Sequence, residues 1–181
     1  MPHDVQPKRP TTLREPGARG DVLWWRPGAV VERTREGEIM GGMEGRIVEG
    51  SGYRGVVLPE ELEAGPPAPG GRWTPTGADV AQAERLVREH LGALAASPAG
   101  RGAAVSRIAA RLADYRRQYV GLRGEDAEQS MWINFFDAPE AEHPRWTAAI
   151  VSACGAGEGC FQLTVDMDAF NCRGLRIGPP R

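Results

Sequence analysis

The stretch Phe161-Gln162-Leu163-Thr164-Val165-Asp166-Met167-Asp168 alternates apolar and polar residues without a break. A two-residue period sets Phe161, Leu163, Val165 and Met167 on one side of a β-strand and Gln162, Thr164, Asp166 and Asp168 on the other, giving one core face and one wet face. Upstream, Gly155-Ala156-Gly157-Glu158-Gly159 reads as a glycine-rich hairpin connection, so a preceding strand is expected over Trp146 to Ala153. Before it come an aromatic-rich strand from Ser130 to Phe136 and the strand Tyr119-Val120-Gly121-Leu122, joined by a polar turn from Gly124 to Gln129. Downstream, Phe170 to Ile177 adds a short edge strand before Gly178-Pro179-Pro180 ends regular structure. The pattern predicts an antiparallel meander of four to five strands.

Two helices precede the meander. At Thr74-Pro75-Thr76-Gly77-Ala78-Asp79, Thr76 is placed to accept from a backbone N–H near Asp79, and Asp79 suits the positive end of the helix dipole. Val80, Ala83, Val87, Leu91 and Leu94 then share one face until Ser97-Pro98-Ala99-Gly100 stops the helix. A second helix from Ala103 to Tyr115 buries Val105, Ile108, Leu112 and Tyr115, with Arg107, Arg111 and Asp114 on a solvated flank. Two amphipathic helices laid on one face of an antiparallel sheet define an α+β fold.

The first third is irregular. Residues 1–20 read as a flexible tail with little to bury, and residues 21–71 as a short-strand segment closed by a Pro-rich linker from Glu63 to Gly71. Within 21–71, Val22-Leu23-Trp24-Trp25, Ala29-Val30-Val31, Gly45-Arg46-Ile47-Val48 and Gly55-Val56-Val57-Leu58 are expected to lie over the main core. Residues 72–178 form the α+β domain. The 24 glycines and 15 prolines of the chain fit a loop-rich segment of this kind.

At 181 residues the chain has room for one core, and its net charge of -2 offers no general attraction to phosphate backbones, so nucleic acid is not an expected partner. Lys8 is the single lysine, a bias typical of GC-rich bacterial genomes, which weakens any argument from one particular arginine. No apolar run reaches the length of a transmembrane helix, and Met1-Pro2-His3-Asp4 lacks the pattern of a signal peptide. As written the chain is expected in the cytoplasm, or in the cell envelope or periplasm if a leader has been removed.

Tyr115-Arg116-Arg117-Gln118-Tyr119-Val120-Gly121, then Trp132-Ile133-Asn134-Phe135-Phe136, Trp146 and the glycine-rich turn into Cys160-Phe161 resemble a YRRQYxG … INFF … W … GGxCF pattern, whose last piece reads Gly157-Glu158-Gly159-Cys160-Phe161 here. With Trp73-Thr74-Pro75-Thr76, this resembles a group of uncharacterised bacterial proteins over roughly the last 110 residues. Many members look like lipoproteins or exported proteins. The resemblance implies no activity and carries over no catalytic residue, and this chain departs from the group in its lack of a leader. The helix-then-meander order is also similar to the cystatin-like arrangement, a likeness of topology that does not fix function.

Three cysteines offer chemistry. Cys154 and Cys160 flank the expected hairpin and could form a disulfide, Cys160 and Cys172 could do so on neighbouring strands, and three reduced, buried thiols are the ordinary alternative. Cys154, Cys160, Cys172 and His143 together would make a four-ligand zinc site, although no CxxC knuckle is present. Asp166, Asp168 and Asn171 could meet a divalent cation but read first as solvated polar residues. His143 lies near Asp137, Glu140 and Glu142, an acid–base grouping in a Pro-containing loop. Gly41-Gly42 does not open a helix after a strand as a phosphate loop requires.

Trp132, Asn134 and Phe136 share one face of their strand, and Met131, Ile133 and Phe135 the other. Both faces therefore ask to be covered, one by the helices and the other by the N-terminal third or by a second protein. The functional expectation is a non-enzymatic protein-binding or inhibitor/immunity-like module, with Trp132, Asn134 and Phe136 as its binding surface and no cofactor. The alternative is a hydrolase-like enzyme or a metal-binding protein using His143 and the cysteines.

Overall fold

Thr76 fixes where the first helix, α1 (Gly77–Ala96), begins: its hydroxyl accepts from the Asp79 N–H at 3.3 Å while the Asp79 carboxylate accepts from the Thr76 N–H at 2.8 Å, a reciprocal capping box. The stripe Val80, Ala83, Val87 and Leu91 is fully buried, as its spacing requires. Helix α2 (Gly102–Ala110) buries Val105 and Ile108, then tightens into a 3₁₀ turn, Leu112–Asp114, before Tyr115 turns the chain into the sheet. The second helix is thus shorter than its periodicity predicts. The N–H of Arg111 is shared between the carbonyls of Arg107 and Ile108, which marks the change of helical type.

The computed structural model describes residues 31–33, 44–62, 65–97, 102–137, 139, 142–152 and 157–180. The expected tail at 1–20, Trp24-Trp25, Gly41-Gly42, Glu140 and Cys154 lie outside the described residues. Around the helices, the strands are β1 (Val31–Arg33), β2 (Arg46–Gly50), β3 (Tyr53–Val57), β4 (Arg72–Trp73), β5 (Arg116–Arg123), β6 (Gln129–Phe136), β7 (Cys160–Asp166) and β8 (Asn171–Ile177). They form one eight-stranded sheet in the order β1-β2-β3-β5-β6-β7-β8, with β4 also on β5. The fold is α+β with a mostly antiparallel sheet, wider than the four to five strands expected.

The extra width comes from the first third of the chain. β2 and β3 pair as a hairpin, and β3 lies parallel to β5, with Val56 opposite Gln118 and Val57 opposite Tyr119. Parallel neighbours need a long crossover, and β4, α1 and α2 supply it. The short apolar pieces at 46–48 and 55–57 therefore extend the sheet instead of lying over it, and Val48, Tyr53 and Val57 share one core with α1, α2 and the inner faces of β5–β7.

β7 confirms the two-residue period of Phe161, Leu163 and Val165, all pointing to the helices. Phe135 and Phe161 stack with centroids 4.2 Å apart, and Tyr115 meets Phe161 edge-on at 5.1 Å. The opposite face of β7 is not uniformly wet, because Cys160 and Gln162 are buried. The strand predicted over Trp146 to Ala153 is absent from its described residues: 146–149 turn and bend, and 150–152 run on without regular structure. This segment lies over the second face of the sheet, where Trp146 and Val151 join Val56, Val120, Trp132 and Phe136 in a second apolar cluster.

Candidate functional site

Gln118, Asn134 and Gln162 are direct cross-strand neighbours on the second face of β5, β6 and β7, and all three are buried. Side-chain amides at the centre of a sheet need partners, and the turns at 144–151 provide them for Gln118 and for Asn134 Nδ2, while Asn134 Oδ1 has none among the described residues. Gln118 Nε2 donates to the carbonyls of Trp146 and Ala149, both at 2.7 Å, while its Oε1 accepts from the Val151 N–H at 2.9 Å. Asn134 Nδ2 donates to Gln118 Oε1 at 3.0 Å and to the Val151 carbonyl at 2.9 Å. Gln162 Nε2 donates to the Gly178 carbonyl at 2.6 Å, holding the end of the described chain.

This network corrects the expected binding surface. Trp132, Asn134 and Phe136 are 6%, 0% and 0% exposed, because the turns carrying Trp146 and Val151 cover them, with Leu58, Leu62 and Ala68 filling the same cluster. The cover comes from the loop between β6 and β7 together with Leu58, Leu62 and Ala68 of the segment 21–71. His143 belongs to that cover: its ring meets Phe136 edge-on at 5.7 Å. The Asp137 carboxylate is taken by Arg111, and Glu142 is exposed, so the described members of the expected acid–base grouping do not gather around the imidazole.

The cysteines do not converge. Cys160 pairs with Phe136 at the start of β7 on the second face, whereas Cys172 pairs with Val165 and packs against the helix-side core. Five residues of extended chain put their positions about 17 Å apart along the sheet. That separation removes both a shared zinc site and a Cys160–Cys172 bridge. Cys160 is disulfide-bonded, so three reduced thiols do not describe this chain, and Cys172 is free, with burial pushing its thiol up to about 11. No group of three His, Cys, Asp or Glu side chains suited to a metal occurs among the described residues. Asp166 accepts from the N–H groups of Asp168 and Ala169, and Asp168 from that of Gln129, so these carboxylates build the β7–β8 turn.

Sequence reasoning missed a second polar cluster under α1. Arg117 on β5 is fully buried and meets Glu84 of α1 at 3.2 Å, with further bonds from its guanidinium to the carbonyls of Tyr115 and Gly52. Its guanidinium also lies 5.5 Å from the centre of the Phe135 ring. Tyr119 donates to Glu84 Oε1 at 2.9 Å, and burial followed by the Glu84 charge pushes its phenol well above the ordinary range. The only available signal was Glu84 falling on the Val80–Val87 face of α1. The cluster is closed to solvent and joins α1, β5 and the β2–β3 turn.

An open concavity of about 420 Å³ lies on the second face beside the β5–β6 turn. Its floor is Leu122, Ser130 and Thr164, its wall Pro67 and Pro69, and its rim carries Glu125, Asp126 and Glu128 with Arg123 and Arg173. Paired backbone bonds hold wall to floor: Gly70 N–H donates to Arg123 O at 3.1 Å and Arg123 N–H to Gly71 O at 2.9 Å. Gly70 is required there, since a Cβ would collide with the Gly124 carbonyl. The rim turn closes through Gly124 N–H to Glu128 O at 3.1 Å, with Ala127 in the left-handed region at φ 62°. Compared with family models, curated proteins and solved structures, the chain gives no match.

Proposed function

We propose that this chain is a non-enzymatic protein-binding module of the inhibitor or immunity kind, and that it meets its partner at the cleft beside the β5–β6 turn. The observation that carries this reading is a contrast in how polar groups are used. Gln118, Gln162, Glu84 and Arg117 are bonded within the chain, whereas Glu125, Asp126 and Glu128 stand at the cleft rim without an ion-pair partner among the described residues. An open cleft with a rigid proline wall suits a projecting part of another protein better than an enclosed small molecule. The same proposal takes the run α1-α2-β5-β6-β7-β8 as cystatin-like in order and its meander as used in an inhibitor-like way. The bonded Cys160 would suit an oxidising compartment, such as that of the exported proteins the sequence resembles.

The test compares wild-type protein with a Glu125→Lys/Asp126→Lys/Glu128→Lys variant in affinity capture from the source cells, followed by titration of the purified partner. The reading expects one stoichiometric partner whose affinity falls at least about tenfold in the variant and weakens with added salt. Equal capture by both proteins would exclude the cleft. A hydrolytic activity lost in His143→Ala would favour the enzyme instead.

A further inference from the structure

We propose that the cleft beside the β5–β6 turn is a socket for one basic side chain, an arginine or lysine projected from the partner protein; this rests on the binding-module reading and names the chemistry recognised. Two independent features converge on a cation. The first is charge. Of the two arginines at the rim, Arg173 is already paired with Asp166 at 3.7 Å, leaving Arg123 against Glu125, Asp126 and Glu128. The carboxylates are thus in surplus at the mouth.

The second feature is the floor. Ser130 lies at the cleft bottom with 6% of its surface exposed, and its hydroxyl makes no hydrogen bond among the described residues, unlike the buried amides Gln118, Asn134 and Gln162 on the same face. Thr164 adds a second hydroxyl beside it. A nearly buried hydroxyl facing an open polar space has lone pairs to offer, and a guanidinium or ammonium group supplies donors only. Leu122, Pro67 and Pro69 give apolar surface for the methylene stem of such a side chain. Floor acceptors, an apolar shaft and an acidic mouth follow the order of groups along arginine or lysine from tip to backbone, with the mouth drawing the charge inward.

The experiment titrates the full chain with N-acetyl-arginine amide and follows backbone amide shifts by NMR, with the neutral isostere N-acetyl-citrulline amide as control. Saturable shifts confined to Leu122, Ser130, Thr164 and their neighbours are expected for the arginine compound alone. Ser130→Ala should weaken them by a factor of about ten, and Glu125→Gln/Asp126→Asn/Glu128→Gln should abolish saturation. Both variants lie at a surface turn or remove a single oxygen, and an unchanged spectrum elsewhere certifies their fold. Equal shifts from citrulline, or none from arginine up to about 50 mM, would overturn the socket. A partner that binds at the rim without arginine binding in the cleft would leave the binding module standing and remove only the socket, whereas arginine binding with no protein partner would support the socket's chemistry and overturn its assignment to a protein.

Discussion

Arg117 on β5 and Glu84 on α1 meet as an ion pair whose side chains are 0% and 2% exposed, so helix and sheet are joined by two charges withdrawn from water. Such a pair is held less by its own attraction than by the cost of breaking it unevenly. Glu84→Ala should lower stability by about 3–5 kcal/mol, because the guanidinium is left buried without its counter-charge. Glu84→Leu combined with Arg117→Met should recover much of that loss. Urea titrations of the single and double variants measure both effects, and a Glu84→Ala cost below about 1 kcal/mol would show that the charge is not confined as described.

The same cluster sets an alkaline limit. Burial raises the pKa of Tyr119 well above its ordinary 10.0, and Tyr53 and Tyr115 shift in the same direction, also chiefly through burial. Cys172 moves from 9.0 to about 11. In each case the folded state holds the proton longer, so stability is complete below the unfolded pKa and is lost as pH rises toward the folded one. The urea midpoint should be level from about pH 7 to 8.5, fall first through Cys172, then fall more steeply above 10. Tyr119→Phe should start lower and fall less. A variant slope equal to wild type would count against the buried phenol.

Thiol counting separates the cysteines. Cys172 is half-buried and its thiol is held protonated at neutral pH, so native protein should react slowly with an aromatic disulfide reagent. Denaturation without reductant should expose a single reactive thiol, and prior reduction all three cysteines of the chain. Three thiols without reductant would mean that Cys160 is unbridged.

Gln118 should prove the anchor of the β6–β7 loop. Gln118→Ala leaves the Trp146 and Ala149 carbonyls and the Val151 N–H without their partner, at a cost of about 2–4 kcal/mol. The Val151 amide should then exchange with solvent at least about tenfold faster while that of Ile133 is unchanged. No change at Val151, or equal acceleration at Val151 and Ile133, would show that Gln118 does not anchor the loop.

Much of the helix layer could be read from sequence because its signals are local: the Thr76–Asp79 cap and the Val80–Leu91 stripe lie within a few turns of each other. β6 and β7 were legible as well, whereas β5 was read only over Tyr119 to Leu122 of Arg116–Arg123. The second face was not, since Trp146, Ile150 and Val151 spell an apolar run that fits a strand or a cover, and only the carbonyl demand of Gln118 and Asn134 selects the cover. Arginine's abundance concealed Arg117. The cleft was hidden for another reason, as its wall and floor are separated by more than fifty residues and meet only when β4 and its flanking glycines pair with β5.

The parallel seam between β3 and β5 has a consequence for the order of assembly. Val56 and Gln118 are neighbours in the sheet although two helices are synthesised between them, so the amino-terminal hairpin emerges from the ribosome long before the strand it rests on exists. Until then its inner edge is an open template. Pulse-labelled refolding should accordingly protect amides of the β6–β7 pair ahead of those at Val56 and Val57, and crowding during synthesis should punish slow translation of residues 58–115 more than of any later stretch.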